Sequence, residues 1–338
     1  MVGFEPPAQG QGPGLSSSQA AVAGSAAGLL TRVLINPLDV LKIRFQLQIE
    51  RLSLLEPRAK YHGIVQATGM IFREEGLQAF WKGHVPAQLL SVSYGAVQFS
   101  SFEFLTKFVH NALLCDSRNP MVHFVCGGLA ACTATVTVQP IDTLRTRFVA
   151  QGEPKVYRNL WHAVVTMYRG EGALSFYRGL TPTIMAVFPY AGFQFAFYNI
   201  FHRIAKRASI SSGNIQNLVC GGCAGIISKT LTYPFDLLKK RLQVDGFQQA
   251  RASFGQVQTY KGFLDCVFQV AQNEGLRGFY KGLSPSMVKA AFSTGLVFFW
   301  YELFCNMLNN YRLRRDPEHQ QQLSKGLNDK QSHSANSS

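Results

Sequence analysis

Charged residues are scarce in this chain. Only 15% of its 338 residues are Asp, Glu, Lys or Arg, whereas soluble domains average about 25%. Long stretches hold no charged residue at all, among them 84–102, 179–202 and 209–228. Such stretches are long enough, or nearly so, to cross the hydrocarbon core of a bilayer, which takes about 20 residues. They argue against a soluble fold and indicate membrane-spanning helices.

The sequence also lacks the constellations on which catalysis or metal binding depends. Its cysteines form no disulfide or zinc framework, because the one Cys-x-x-Cys pair, Cys220 and Cys223, falls inside a predicted membrane helix with no second pair nearby. No Ser/His/Asp set, carboxylate pair or phosphate-binding glycine loop stands in a context that supports chemistry. We therefore predict neither an enzyme nor a bound cofactor or metal.

Acidic residues are fewer than basic ones. The chain has 33 Lys and Arg but only 19 Asp and Glu, for a formal net charge of +14. A basic balance fits nucleic acid, anionic lipid or an anionic ligand as the partner. Uncharged spans serve no purpose in a nucleic-acid binder, so we predict no nucleic-acid partner and keep the other two.

One motif occurs three times. The pattern Pro-x-Asp-x-x-Lys/Arg-x-Lys/Arg begins at Pro37, Pro140 and Pro234. Each copy is followed by a tyrosine, then 14 residues later by Glu-Gly, and then by two aromatic residues, a base and Gly. Several features in register, three times each, indicate a triplicated unit of about 100 residues. The Glu residues of the three copies are Glu75, Glu171 and Glu274.

Each unit contains two spans. One carries the proline motif, and the other follows the glycine that ends the aromatic-aromatic-base-Gly pattern. The sequence therefore predicts an all-α membrane protein with six transmembrane helices in three pseudo-symmetric repeats, plus a short amphipathic helix in each long loop. Both ends of the chain are predicted to be disordered tails. The predicted segments are a tail at 1–17, repeats at 18–110, 119–206 and 213–310, and a tail at 311–338.

The proline motif predicts a gate. Proline inside a helix removes a backbone hydrogen bond and kinks the helix, so three kinked helices can converge and close one end of a cavity. Acids and bases alternate just after the kinks, and ion pairs between them gain strength where they are partly dehydrated. We predict a ring of ion pairs that closes the cavity towards the long loops. Its members are Asp39, Lys42, Asp142, Arg145, Asp236 and Lys239.

The threefold combination of these motifs resembles the mitochondrial carrier family over about residues 18–308. The resemblance implies alternating access in the inner mitochondrial membrane, with both termini towards the intermembrane space. The short helices then lie on the matrix side, and the predicted ring is the matrix gate. The resemblance further implies a monomer in contact with anionic membrane lipid such as cardiolipin.

In the family, a glutamine past the second base often braces the matrix gate. Gln46 and Gln243 occupy that position, but the second repeat has Val149, so two braces are expected. The family's cytoplasmic gate, an aromatic-acid-x-x-base pattern late in the even-numbered spans, is eroded here, and we expect a weakly latched matrix-open state. Its base positions hold Thr106, His202 and Cys305.

Three further bases lie inside the spans. Arg32 and Lys229 each stand five residues before a motif proline, and Lys289 lies mid-span where the other repeats have Leu90 and Ala186. Ionisable groups inside a membrane are costly and are by default functional. Because no acid matches them at their depth, these bases predict an anionic ligand, a phosphate or diphosphate.

The family alignment adds aromatic, amide and hydroxyl groups on the even-numbered spans. Tyrosine offers a stacking surface and glutamine a paired donor and acceptor, which suits a flat nitrogen heterocycle joined to phosphate. An adenine nucleotide or coenzyme A suits the same cavity, and a proton-leak protein inhibited by nucleotides is an alternative of another class. The added substrate-site residues are Tyr94, Gln98, Tyr190, Gln194 and Ser293.

Overall fold

The computed structural model describes six stretches of the chain. All regular secondary structure within them is helical. The first helix begins at Ser17 and the last ends at Arg315, so helix extends five residues into the predicted tail 311–338. Residues 1–16 and 316–338, which make up the rest of the two predicted tails, lie outside the described residues. The described stretches are 17–50, 59–113, 120–153, 155–207, 214–247 and 258–315.

Two long helices and one short helix occur in each repeat of the described chain, which confirms the predicted all-α architecture. The long helices contain 28 to 33 residues, and the short ones contain 12 to 16. The long helices are α1 (Ser17–Leu47), α3 (His84–Leu113), α4 (Pro120–Ala150), α6 (Leu180–Arg207), α7 (Asn214–Gln243) and α9 (Leu283–Arg315). The short helices are α2 (Ile64–Glu75), α5 (Leu160–Glu171) and α8 (Phe263–Gly278).

Three segments of the described chain are apolar enough to cross a membrane by length and composition alone. They are Met121–Ala150, Ala173–Lys206 and Leu283–Leu308. Helices α1, α3 and α7 are about as long, but Gly, Ser, Thr and Gln recur along them. That composition suits helices with one face on lipid and one on water, so length and repeat position identify these three spans better than hydropathy does.

The described residues divide into two compact units. The larger comprises 36–289, and the smaller comprises the residues up to Ile35 together with those from Ala290 onward. The proline motifs, the short helices and the Glu-Gly turns of all three repeats belong to the larger unit.

Each motif proline lies inside its long helix rather than at an end. The residue just before it is polar in every repeat, and its side chain donates a hydrogen bond to a carbonyl in the turn before the next long helix of the same repeat. This ties each kinked helix to its own repeat at the kink. The bonds join Asn36 to Phe80 O at 2.6 Å, Gln139 to Arg178 O at 2.9 Å and Tyr233 to Lys281 O at 2.9 Å.

The Glu-Gly pair ends or breaks each short helix. Gly76, Gly172 and Gly275 have φ of 75°, 80° and 67°, in the left-handed region that glycine enters without a steric penalty. The chain then enters a single 3₁₀ turn, Leu77–Trp81 in the first repeat and Ala173–Tyr177 in the second. In the third repeat the corresponding residues complete α8 after the break at Gly275. The recurrence of Glu-Gly thus has a backbone cause.

Each short helix packs on the long helix before it through two buried residues four positions apart, which therefore share one face. In the first repeat Ala67 and Ile71 meet Leu41, Phe45 and Tyr61 in an apolar core. The corresponding pairs in the other repeats are Ala163 with Met167 and Cys266 with Val270.

Candidate matrix gate and substrate site

The six predicted gate residues form three ion pairs between neighbouring repeats. Each acid pairs with the base of the next repeat in cyclic order, so the contacts close a ring that joins α1, α4 and α7. We call this set of residues the ion-pair ring. Its pairs are Asp39 with Arg145 at 2.8 Å, Asp142 with Lys239 at 2.9 Å and Asp236 with Lys42 at 3.3 Å.

An apolar cluster of residues from α1, from α4 and from the position just after α7 lies beside the ring. Most of its residues come after the ring residues in their helices, and all are buried. We call this cluster the apolar plug, because it adds a water-excluding layer to the ionic one. It was not predicted from the sequence, since apolar residues occur throughout the spans. The plug consists of Val40, Ile43, Leu47, Val149, Ala150 and Val244.

Only one of the two expected braces bonds to a ring acid. Gln243 donates to Asp142 Oδ2 at 2.8 Å, as the family pattern implies. Gln46 instead donates to the Tyr233 hydroxyl at 3.0 Å. The aromatic ring of Tyr233 lies under the Lys42 ammonium. Its hydroxyl accepts the hydrogen bond that Gln46 was expected to donate to the ion-pair ring. The expectation of two equivalent braces is therefore corrected.

Lys240 also contacts the ring, although the sequence did not single it out. Its Nζ lies 3.1 Å from both carboxylate oxygens of Asp142, 2.9 Å from Thr146 Oγ1 and 2.9 Å from Gln243 Oε1. The available signal was an asymmetry: Lys240 stands where the first repeat has Ile43. Asp142 thus has two lysines and an amide around it.

A second ionic network explains why Tyr, Glu-Gly and a later base recur together. In the first repeat Arg44 binds Glu75 through two hydrogen bonds of 2.6 and 2.8 Å, and Lys82 binds the same carboxylate at 2.5 Å. The Tyr61 hydroxyl accepts from Arg44 at 3.2 Å. We call such a base–Glu–base set a clamp. The other clamps are Arg147–Glu171–Arg178 and Arg241–Glu274–Lys281.

Burial and the neighbouring charges together set the protonation of the first clamp. Burial alone opposes ionisation of Glu75, but the hydrogen bonds and charges of Arg44 and Lys82 outweigh it and lower the pKa of Glu75. Burial also raises the pKa of Tyr61 to about 12. The clamp is therefore an ionised carboxylate held between two cations.

The clamp arginines also join neighbouring repeats. Arg147 donates from Nε to Gln243 O at 3.1 Å and from Nη2 to Asp245 O at 2.9 Å. Arg241 makes the equivalent bonds to the carbonyls of Gln46 at 3.1 Å and Gln48 at 3.2 Å. The last carbonyls of a helix lack partners within the helix. Here the clamp arginine of the preceding repeat donates hydrogen bonds to carbonyls at or just after the helix end.

The glycine after each clamp base presses against a ring helix. A Cβ at Gly179 would lie 2.7 Å from Lys239 O, and its φ of 78° already disfavours other residues. Each of the three glycines approaches the carbonyl of the ring base in the next repeat. The other two approaches, from Gly83 to Arg145 O and from Gly282 to Lys42 O, would place a Cβ at 3.0 Å.

Lys289 is not isolated from acids, contrary to the expectation for the substrate site. Its Nζ lies 2.5 Å from Asp39 Oδ1. Asp39 is thus shared between Lys289 and Arg145. The expectation compared acids and bases at one depth within a span, whereas this partner comes from another helix, α1.

The remaining predicted substrate residues of the larger unit lie on α3, α6 and α7. Lys229 and Tyr190 lie within electrostatic reach of Asp236. Tyr94 lies close to Thr135 of α4. Gln98 and Gln194 each follow a predicted tyrosine by four residues, which puts each Tyr and Gln pair on one helix face. All five predicted residues are half-buried.

Arg32 and Ser293 belong to the smaller unit, where both are half-buried.

In the eroded cytoplasmic pattern, Lys107 pairs with Glu103 at 2.7 Å within α3, and His202 stacks on Tyr198 within α6. Both of these contacts join residues of a single helix. Glu302 of α9 is exposed.

Three helical repeats joined in a cycle by an ion-pair ring define a transport protein of the membrane-carrier class. A family model described as mitochondrial carrier protein matches residues 14–113, 116–209 and 211–312. The chain belongs to the mitochondrial carrier family.

Within the family, the chain is similar to carriers whose names include thiamine pyrophosphate or thiamine diphosphate. The mitochondrial thiamine pyrophosphate carrier of Bos taurus is 63% identical over 316 residues, which cover 92% of this chain and 99% of the relative. The carrier of the same description from Homo sapiens is 62% identical over 313 residues, 91% of this chain and 97% of the relative. The mitochondrial thiamine diphosphate carrier 1 of Arabidopsis thaliana is 38% identical over 310 residues, which cover 84% of this chain and 92% of the relative.

Short stretches in all three repeats resemble thiamine pyrophosphate carriers, and these stretches can be recognised in the sequence alone. The identities to the Bos taurus and Homo sapiens proteins confirm this resemblance. The stretches are 42–48, 84–88, 94–99, 150–157 and 227–234.

Proposed function

We propose that this chain imports thiamine pyrophosphate into the mitochondrial matrix by alternating access, in exchange for a nucleotide or thiamine monophosphate. The observation that carries the proposal is 62–63% identity to thiamine pyrophosphate carriers over more than 90% of the chain. The protein lies in the inner membrane with its termini towards the intermembrane space. Thiamine pyrophosphate is cargo in this proposal, and no cofactor or metal is needed.

The charges around the ion-pair ring support an anionic cargo. Each ring acid already pairs with one ring base, yet a lysine of the proposed substrate site stands beside two of these acids. Lys289 contacts Asp39, and Lys229 lies within reach of Asp236. This surplus of positive charge favours a diphosphate, whose oxygens accept several charge-assisted hydrogen bonds.

The other end of the cargo is an aminopyrimidine and a cationic thiazolium. Tyr94 and Tyr190 supply flat faces on which such rings stack, and a thiazolium cation gains from an aromatic face. Gln98 and Gln194 match a heterocycle's donors and acceptors. Lys229 and Lys289 hold the diphosphate.

The ion-pair ring and the apolar plug together act as the matrix gate in this proposal. With all three pairs formed, the gate is closed, so the cargo enters from the intermembrane space. The protein then works as a monomer, with anionic lipid such as cardiolipin at its surface.

Uptake by liposomes that contain the purified protein tests the proposal. We expect saturable uptake of labelled thiamine pyrophosphate that depends on nucleotide or thiamine monophosphate inside the liposomes. Transport of adenine nucleotide or coenzyme A, but not of thiamine pyrophosphate, would show that the protein is an exchanger for one of those compounds. Proton flux without solute flux would show that it is a proton-leak protein.

A further inference from the structure

The three contacts between repeats in the ion-pair ring are not equivalent. We name each contact by its acid: the Asp39 seam, the Asp142 seam and the Asp236 seam. The Asp236 seam is the loosest, because its ion pair with Lys42 is 3.3 Å long and the Asp236 side chain is 42% exposed. The Asp142 side chain is only 8% exposed.

Lys240 makes contacts at the Asp142 seam that distinguish it from the other two. It bridges both carboxylate oxygens and also reaches the hydroxyl of Thr146 and the amide oxygen of Gln243. Gln243 in turn accepts from Thr146 at 2.7 Å and donates to Asp142 at 2.8 Å. Separation of α4 from α7 must therefore break a connected network rather than one ion pair.

The other seams have no equivalent of Lys240 among the described residues. The corresponding positions in the first and second repeats hold Ile43, which lies in the apolar plug, and Thr146. Asp39 has Lys289 as a second base, but a phosphorylated cargo competes for that lysine in the proposed site. Lys240 binds the residues one turn past the ring, Thr146 and Gln243, away from the proposed cargo site.

We propose that Lys240 is a positioning residue that locks the Asp142 seam and thereby holds the matrix gate closed when no cargo is bound. The lock rests on the proposed function in one respect, that transport requires this ring to open. Its action on the empty protein is independent of which cargo is carried. Removal of one charge-assisted hydrogen bond from such a network changes the closed-to-open ratio by about tenfold.

A cysteine in the apolar plug reports gate opening without any cargo. Val244 is 1% exposed in the closed ring, so we would introduce Val244→Cys and measure its labelling by a polar maleimide in purified, lipid-embedded protein. Labelling of the parent without this change corrects for the native cysteines. We expect Lys240→Met to accelerate labelling of the introduced cysteine about tenfold, while Lys240→Arg keeps it slow.

Lys155→Met is the matched control, because it removes one lysine charge at an exposed site that pairs only distantly with Glu153, at 3.8 Å. Equal labelling rates in Lys240→Met and Lys155→Met, with both proteins folded, would overturn the lock, as would fast labelling in Lys240→Arg. If Lys240→Met does not fold, Thr146→Val decides. It keeps every charge and removes one hydrogen-bond partner of Lys240, so unchanged labelling there overturns the proposal.

Transport adds a readout that a purely structural role does not move. A weaker lock lets the empty carrier change sides, so the ratio of one-way efflux to exchange should rise in Lys240→Met, whereas simple destabilisation lowers both rates together. Wild-type uptake of thiamine pyrophosphate is measured in parallel. If wild-type protein does not take up thiamine pyrophosphate, the proposed cargo is wrong. The labelling experiment contains no cargo, so it still tests whether Lys240 locks the Asp142 seam.

Discussion

Lys289 Nζ and Asp39 Oδ1 are 2.5 Å apart, which joins a base of the proposed substrate site to an acid of the ion-pair ring. A cargo phosphate that binds Lys289 competes directly with Asp39. Asp39 then keeps only Arg145, at 2.8 Å. The contact therefore offers a physical route by which binding of the cargo weakens the gate that must open next.

Replacement of Lys289 by Ala should weaken transport of diphosphates. Loss of a charge-assisted hydrogen bond costs about 1.5–3 kcal/mol, so the apparent KM for thiamine pyrophosphate should rise about tenfold or more. The fold should persist, because Asp39 keeps its bond to Arg145. Concentration-dependent uptake checks the prediction, with Lys107→Ala, at a 70% exposed side chain, as control. Unchanged transport in Lys289→Ala would show that the site is misplaced.

Reversal of Asp236 to Lys should abolish transport, whereas Glu302→Gln should leave it nearly unchanged. The first change sets a lysine against Lys42, 3.3 Å from the present carboxylate, and near Lys229. Glu302 is exposed, and the base position of its motif holds Cys305. Exchange rates at equal protein content test both. Equal damage from the two changes would contradict the eroded cytoplasmic gate.

Repetition explains which contacts were predictable from the sequence. The ring acids and bases recur at identical spacing, so their pairing followed from three kinked helices at one depth. The long and short helices were equally predictable, since each repeat restates the same order of apolar stretch, motif and glycine. Wherever three copies agree, local pattern and global fold support one another.

Contacts present in a single repeat were not predictable in this way. Lys240 looked like a neighbour of Lys239, Gln46 like a brace of the ring, and Lys289 like a base without an acid. Which partner each side chain reaches depends on its direction across the gap between helices, and sequence spacing along one helix does not determine that direction.

The first clamp should make part of the stability depend on acid pH. The pKa of Glu75 is lowered below its usual value of 4.5, so its contribution is complete above pH 4.5 and is lost as the pH falls through the lower, folded-state pKa. Glu75→Gln removes the carboxylate charge that Arg44 and Lys82 share, although Lys82 keeps Glu153 at 3.3 Å, and it should cost about 3 kcal/mol at neutral pH. Thermal unfolding from pH 7 to pH 3 should show a smaller fall in Tm for the variant than for wild type. Parallel curves would remove Glu75 as a source of the pH dependence.

Gly179→Ala should destabilise the closed ring. The new Cβ would lie 2.7 Å from Lys239 O at a φ of 78°, and the left-handed conformation alone costs about 1–2 kcal/mol for other residues. Gly170 of α5 has open space around the corresponding position, so Gly170→Ala should be neutral or slightly stabilising through helix propensity. Differential scanning fluorimetry of the purified proteins compares the two. A Tm for Gly179→Ala equal to that of Gly170→Ala would mean that the glycine contact carries no energy.

Lys229 should bind one end of the cargo only. It precedes a motif proline by five residues and lies within reach of the ring acid Asp236, so it is expected to face the diphosphate, while tyrosine and glutamine side chains meet the rings. Free thiamine should then compete poorly for uptake of thiamine pyrophosphate, and inorganic pyrophosphate should compete measurably. Lys229→Ala should lower affinity for the diphosphate more than for the monophosphate, because the monophosphate presents fewer oxygens for the lysine to bind. Competition assays in liposomes check each point. If free thiamine competes with wild-type uptake as well as its diphosphate does, the role of Lys229 is structural and the proposed diphosphate site is wrong.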